Sequence, residues 1–141
     1  MKRPMANRAL ETSIEYRVPY ADTDQMAVVY YANYLVYFER LRNEIIRKTG
    51  LEYRQVEGEG IFFPVVEAHA EYHKSALYDD LITVAGWFSW TQGSRFRIDY
   101  EIFREKDLLT TGFTIHAAVN REGRPRRLPP VIASIAPRNP S

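Results

Sequence analysis

The chain has 141 residues, 45% of them hydrophobic and 26% charged, with a formal net charge of +1. That length can bury one substantial core, and the near-neutral charge removes the electrostatic argument for a nucleic-acid or anionic-membrane partner. Cysteine is absent, which excludes disulfides, a thiol nucleophile and thiolate metal sites and fits a cytoplasmic address.

Residues 1–12 carry Lys2, Arg3 and Arg8 without an apolar run. They read as a loose lead-in and not as a secretory signal. No apolar stretch approaches the roughly 20 residues of a membrane-spanning helix. Ile14, Tyr16, Val18 and Tyr20 then alternate with Glu15, Arg17 and Pro19, which predicts a short strand, with Pro19 at its end or on a sheet edge. The loop Asp22–Ala27 follows. From about Asn33 the period changes: Tyr34, Leu35, Tyr37, Phe38, Leu41, Ile45 and Ile46 recur at three- and four-residue spacings up to Gly50. This predicts the longest helix of the chain, with Asn33 as its N-cap and a stripe wide enough to lie against a sheet.

A polar link holding Gly58 and Gly60 leads to a strand in which Val66, Ala68, Ala70 and Tyr72 share one face and Glu67, His69, Glu71 and His73 the other. The small residues suit a close helix approach. Leu81–Trp90 predicts a further strand, closed by the turn Thr91-Gln92-Gly93-Ser94. Arg95–Arg104 alternates most cleanly, with Phe96, Ile98, Tyr100 and Ile102 on one side. Leu109–Asn120 is the last strand, with Phe113, Ile115, Ala117 and Val119 expected on one face. A basic turn, Arg121–Arg127, and several prolines end the pattern. The whole predicts a single α+β domain, with a core from about residue 14 to 129: one long helix covering one face of a largely antiparallel sheet, and a second copy as the simplest cover for the rest.

Chemistry concentrates between the first strand and the helix. Asp22 and Asp24 precede a helix N-terminus, where free N–H groups and the helix dipole favour negative charge. A carboxylate beside such donors can serve acyl transfer, as nucleophile or general base, with the amides receiving an oxyanion. Asp24 can equally be an ordinary loop or capping acid, and Asp22 reads as structural. His69 and His73 with Glu67 and Glu71 lack a third convergent ligand, so no metal site is expected. Arg121, Arg124, Arg126 and Arg127 form the one local charge excess; Arg126 and Arg127 are candidates for holding phosphates, or all four form a solvated turn.

The run Tyr20-Ala21-Asp22-Thr23-Asp24, continued by Val28-Val29-Tyr30-Tyr31-Ala32-Asn33-Tyr34, resembles the hotdog-fold acyl-CoA thioesterases, in particular the 4-hydroxybenzoyl-CoA thioesterase group with its Tol–Pal-associated members. Val65-Val66-Glu67-Ala68, Tyr78-Asp79-Asp80-Leu81 and Gly123-Arg124-Pro125-Arg126-Arg127-Leu128-Pro129 extend the resemblance over about residues 14–129. It implies a five-stranded antiparallel sheet wrapped around one central helix. It implies hydrolysis of a small acyl-CoA by Asp24, as nucleophile or general base, with the Tyr31 N–H as oxyanion donor. Substrate would be held by the apolar loop Met26 to Val29, chiefly Val29, with Tyr30, by Phe62 and Phe63, chiefly Phe63, from a partner subunit, and by Arg126 and Arg127 at the coenzyme A phosphates. Relatives of this kind are homodimers or homotetramers with the site at the dimer interface, and no cofactor is implied beyond the coenzyme A of the substrate. The chain departs from the pattern in carrying Tyr31 where several Tol–Pal-associated relatives have histidine, and Thr91, Gln92 and Gly93 where the 4-hydroxybenzoyl-CoA enzyme is basic. A hotdog dehydratase is disfavoured because no histidine lies between Asp22 and Asn33. A non-catalytic acyl-CoA or acyl-carrier-protein binding module is the remaining rival.

Overall fold

The computed structural model describes residues 8–138; most of the expected lead-in lies outside them. In chain order it has β1 (Ala9–Arg17), a 3₁₀ turn (Tyr20–Asp22), α1 (Asn33–Lys48), α2 (Tyr53–Gly58), β2 (Val65–Tyr72), β3 (Leu81–Gln92), β4 (Arg95–Arg104), β5 (Asp107–Ala117) and α3 (Pro130–Ala133). The strands form one sheet in the order β1-β3-β4-β5-β2, antiparallel throughout. This is the expected architecture. It places β1 and β2 at opposite edges.

α1 buries Tyr34, Tyr37, Phe38, Leu41, Ile45 and Ile46 against Ile82, Val84 and Phe88 of β3 and Phe96, Ile98, Tyr100 and Ile102 of β4. Phe38 stacks on Tyr100 with ring centroids 4.3 Å apart and planes 7° from parallel. Glycines set how closely the helix can lie. A Cβ on Gly112 of β5 would come within 2.7 Å of the Phe38 ring, and one on Gly86 of β3 would collide with Leu41. Of the small residues of β2, Ala68 is exposed, and Ala70 is half-buried and packs against the core that α1 builds.

Other local expectations need correction. β1 starts at Ala9, ahead of Ile14. The polar link before β2 contains a helix, α2, anchored by buried Val56, and a second short helix, α3, follows Pro129 and buries Ile132. On β5 the buried face is Gly112, Thr114 and His116, not Phe113 and Ile115. Apolar alternation misleads here because Phe113 is covered from outside, by the Arg97 guanidinium 3.9 Å from its ring centroid and by the stacked ring of His69. On the same outer face Arg8 lies 3.9 Å over the Trp87 ring, so the chain covers that tryptophan itself.

On the buried β5 face Thr114 and His116 join one hydrogen-bonded chain, whereas the hydroxyl of Thr110 on the same face bonds to no described residue. The Phe63 carbonyl can only accept, so His116 Nδ1 donates to it (3.1 Å) and His116 Nε2 accepts from the Thr114 hydroxyl (2.9 Å). Thr114 Oγ1 then accepts from Tyr100 (2.6 Å), whose oxygen accepts from Arg42 Nη1 (3.2 Å). This direction is that of the neutral imidazole, in which one ring nitrogen donates and the other accepts. Burial, then the nearby Arg42 charge, lowers the His116 pKa to about 4.

Unfolded, His116 returns to 6.5. Between these values the unfolded chain binds the extra proton, so folding stability is intact above about 6.5 and falls as pH falls toward 4. Urea unfolding at pH 7.5 and pH 5 is expected to show wild type losing about 2 kcal/mol more than His116→Gln over that interval. Equal losses in the two proteins would contradict the buried neutral state.

Candidate active site

The segment between β1 and α1 is built around Asp22. Its Oδ2 accepts the Tyr37 hydroxyl from α1 at 2.7 Å and the Tyr16 hydroxyl from β1 at 3.4 Å. Its carbonyl accepts the Tyr30 N–H and the Asn33 side-chain amide, both at 2.9 Å. One residue thus ties the strand end, the returning loop and the first turn of the helix together. Burial first, then the Asp22 carboxylate, raises the pKa of both Tyr37 and Tyr16. Both therefore remain donors across the physiological range. Asn33, expected as N-cap, is instead the first helical residue; its amide is taken up by Asp22, and the cap position falls on Ala32 without a side-chain acceptor.

Beyond Asp22 the chain makes a tight hairpin. Thr23 bridges to Val29 and Val28 to Leu77, the Asp24 N–H reaches the Val28 carbonyl at 2.9 Å, and Ala27 at the tip adopts a left-handed φ of 61°. A non-glycine residue in that region is uncommon, and such strain collects in functional loops. Asp24 is exposed. Its Oδ1 accepts the Met26 N–H at 2.8 Å, and Oδ2 bonds to no described residue.

Tyr31 lies at the far side of this hairpin, where α1 begins. The residue is 62% exposed and its ring packs on Tyr30, with centroids 4.7 Å apart. Its carbonyl accepts the Tyr72 hydroxyl from the end of β2 at 3.2 Å. The N–H groups of Tyr31 and Ala32 donate to no described residue. The helix mouth therefore presents two free amides from the loop that carries a free carboxylate oxygen, which is the donor–acceptor combination acyl transfer uses.

The chain matches the thioesterase-like superfamily over residues 18–135. It belongs to that family. It is 32% identical over 99 residues to the acyl-CoA thioesterase YbgC of Haemophilus influenzae, covering 70% of this chain and 73% of that protein. It is 29% identical over 120 residues to the acyl-CoA thioester hydrolase YbgC of Escherichia coli O157:H7, covering 84% and 90%. Its structure superposes on a DHNA-CoA thioesterase from Staphylococcus aureus with a TM-score of 0.79 at 36% identity, covering 84% and 80%. A 4-hydroxybenzoyl-CoA thioesterase shares the fold at 21% identity, with a TM-score of 0.79.

Within this thioesterase-like chain the remaining candidate residues lie apart. Val29 is 4% exposed, packs in the core and bonds through its N–H to the Ala76 carbonyl at 2.8 Å. Tyr30 is exposed on the loop surface. Phe63 is half-buried, edge-on to Phe96 at 5.7 Å. Arg126 and Arg127 line a cavity of about 600 Å³ with Gln92, Ser94 and Arg138, beside the β3–β4 turn. The Asp24 hairpin packs near Leu77 and Tyr78, just before β3 begins. The two ends are separated by the whole of β3, roughly 35 Å at strand rise, so one chain does not unite them. Among the described residues no group of three or more His, Asp or Glu side chains could hold a metal ion; His69 bonds to Glu71 and His73 to Thr111.

The anchoring by Asp22 was not visible in the sequence, because Tyr16 and Tyr37 read there as core residues and only the fold brings their hydroxyls to one carboxylate. Tyr37→Phe is expected to lower stability by about 1–2 kcal/mol in urea unfolding and to speed amide exchange across residues 22–30. Unchanged exchange there would show that the carboxylate does not hold the loop.

Proposed function

We propose that this protein is an acyl-CoA thioesterase in which Asp24 serves as nucleophile or general base and the Tyr31 N–H stabilises the oxyanion. The observation that carries the reading is the open helix mouth: unbonded Tyr31 and Ala32 amides in the same loop as the unbonded Asp24 oxygen. The thioester carbonyl would lie against the amides while the carboxylate, or a water it activates, attacks from the hairpin side. Negative charge then grows on the carbonyl oxygen where fixed donors already point, and that is where such donors lower a barrier most. The relatives named as acyl-CoA thioesterases supply the substrate class. The reading needs no cofactor besides the coenzyme A of the substrate, and it places the protein in the cytoplasm with such thioesters.

The active form is a homodimer formed along the β2 edge, which pairs further into a tetramer. β2 ends at Tyr72, bonded to the helix mouth, and begins at Val65, which pairs with His116 beside Phe63. A second β2 running antiparallel alongside would carry its own starting end to the first copy's helix mouth. The partner's Phe63 would then close the acyl pocket formed with Tyr30 and the loop before it, and the partner's Arg126 and Arg127 would come within reach of the coenzyme A phosphates. This accounts for the separation of these groups within one chain.

Asp24→Asn is expected to lower kcat at least ~100-fold in a thiol-release assay while circular dichroism and Tm stay unchanged; near-normal turnover would refute the role. Arg126→Ala/Arg127→Ala should raise KM for an acyl-CoA about tenfold or more with kcat retained. It should leave KM for the corresponding acyl-pantetheine unchanged, because that substrate has no phosphates. Equal KM shifts for both substrates would remove the phosphate assignment.

A further inference from the structure

β2 is the edge of the sheet, with one side unpartnered inside the chain. His73, continuing the strand, donates its N–H to the Leu109 carbonyl at 2.8 Å. By alternation along the ladder the odd-numbered residues direct their backbone groups at β5, and Ala68, Ala70 and Tyr72 direct theirs outward. The irregularity between Val65 and Glu67 restricts the regular ladder to the residues after it. Ala70 is the middle member of the outward set.

The odd side chains stand together on the outer face in the order Glu67, His69, Glu71, His73. Two copies of one strand, paired antiparallel about a twofold axis, bring this row against its own reverse. Centred on His69, the pairing would set Glu67 against the partner's Glu71 and His69 against its own mate. Centred on Ala68, it would leave Glu71 opposite Val65 and run the ladder into the irregular segment. Centred on Ala70, it sets His69 against the partner's Glu71 and Glu67 against the partner's His73, so that every carboxylate on the face meets an imidazole. Like charges directly opposite one another destabilise a sheet and opposite ones support it; an imidazole also donates to a carboxylate when neutral. On the other face the same register sets bulky Tyr72 against the partner's Ala68, and it uses all three outward-facing backbone positions.

We propose that the alternating Glu-His row fixes the dimer register, with Ala70 opposite its own copy. The proposal rests on the dimer reading given above, and it adds to that reading which residues meet. It makes β2 a self-complementary strand whose charge order excludes pairing one residue out of step.

The absence of native cysteine makes the test clean. Ala70→Cys, Ala68→Cys and His69→Cys are oxidised separately and run without reductant, alongside sedimentation of each reduced protein. Opposed Cα atoms in a hydrogen-bonded antiparallel pair lie about 5.5 Å apart, within disulfide range. Ala70→Cys is expected to link most of the chains, and the other two only a minor fraction. Preferred linkage at Ala68→Cys or His69→Cys would overturn the register and leave the β2 dimer standing. A dimer that links at none of the three places the interface elsewhere, and a monomer removes both readings. As a second readout, His69→Glu should weaken the dimer Kd about tenfold or more, and His69→Glu/Glu71→His should restore it. Indifference to both changes would contradict the charge order.

Discussion

The carboxylate of Asp22, gripped by two tyrosine hydroxyls, is the constraint on which the rest of the site depends. A half-buried charge is costly unless it is hydrogen-bonded. Here Tyr37 from the helix and Tyr16 from the edge strand meet that need, while the Asp22 backbone secures Tyr30 and Asn33. With Asp22 committed to holding the loop, Asp24 is left exposed at the hairpin with one oxygen unengaged. The two acids of the motif thus divide their work by environment: one is satisfied and structural, the other open and available.

The same economy of polar groups governs the interior. The buried face of β5 carries glycine, threonine and histidine instead of large apolar residues, since Phe38 needs the space over Gly112. Most of the polar atoms left behind are satisfied in sequence, from Arg42 through Tyr100 and Thr114 to His116 and the Phe63 carbonyl, and the Thr110 hydroxyl stays outside that chain. That chain links α1, the sheet and the segment leading into β2. It fixes the backbone of Phe63, which the dimeric reading brings to the partner's helix mouth.

Much of this was legible in the residues. The stripe from Tyr34 to Ile46 gave the helix, and the alternation of Phe96, Ile98, Tyr100 and Ile102 gave the central strand, because burial on one face leaves a periodic signal. Whatever depended on tertiary partners was not legible. Asn33 has the chemistry of an N-cap, but the fold offers it the Asp22 carbonyl. Phe113 and Ile115 mark the larger side of β5 and not its buried side, because Arg97 and His69 cover the outside. α2 is short and lies between glycines, and its buried residue Val56 leaves no periodic trace. His116 read as a solitary strand histidine, since one of its hydrogen-bond partners, the Phe63 carbonyl, is distant in sequence and the other, Thr114, read only as its strand neighbour. The location of Arg126 and Arg127 at the far end of β3 could not be read from spacing at all.

The most direct test is a crystal structure of the protein with an acyl-CoA analogue whose thioester is replaced by a ketone. The account predicts the ketone oxygen within hydrogen-bonding distance of the Tyr31 N–H, the Asp24 carboxylate facing the carbonyl carbon directly or through one water, and the nucleotide end against the partner subunit. A ligand seated away from that helix mouth, or one whose carbonyl is held by other donors with Asp24 turned to solvent, would contradict it.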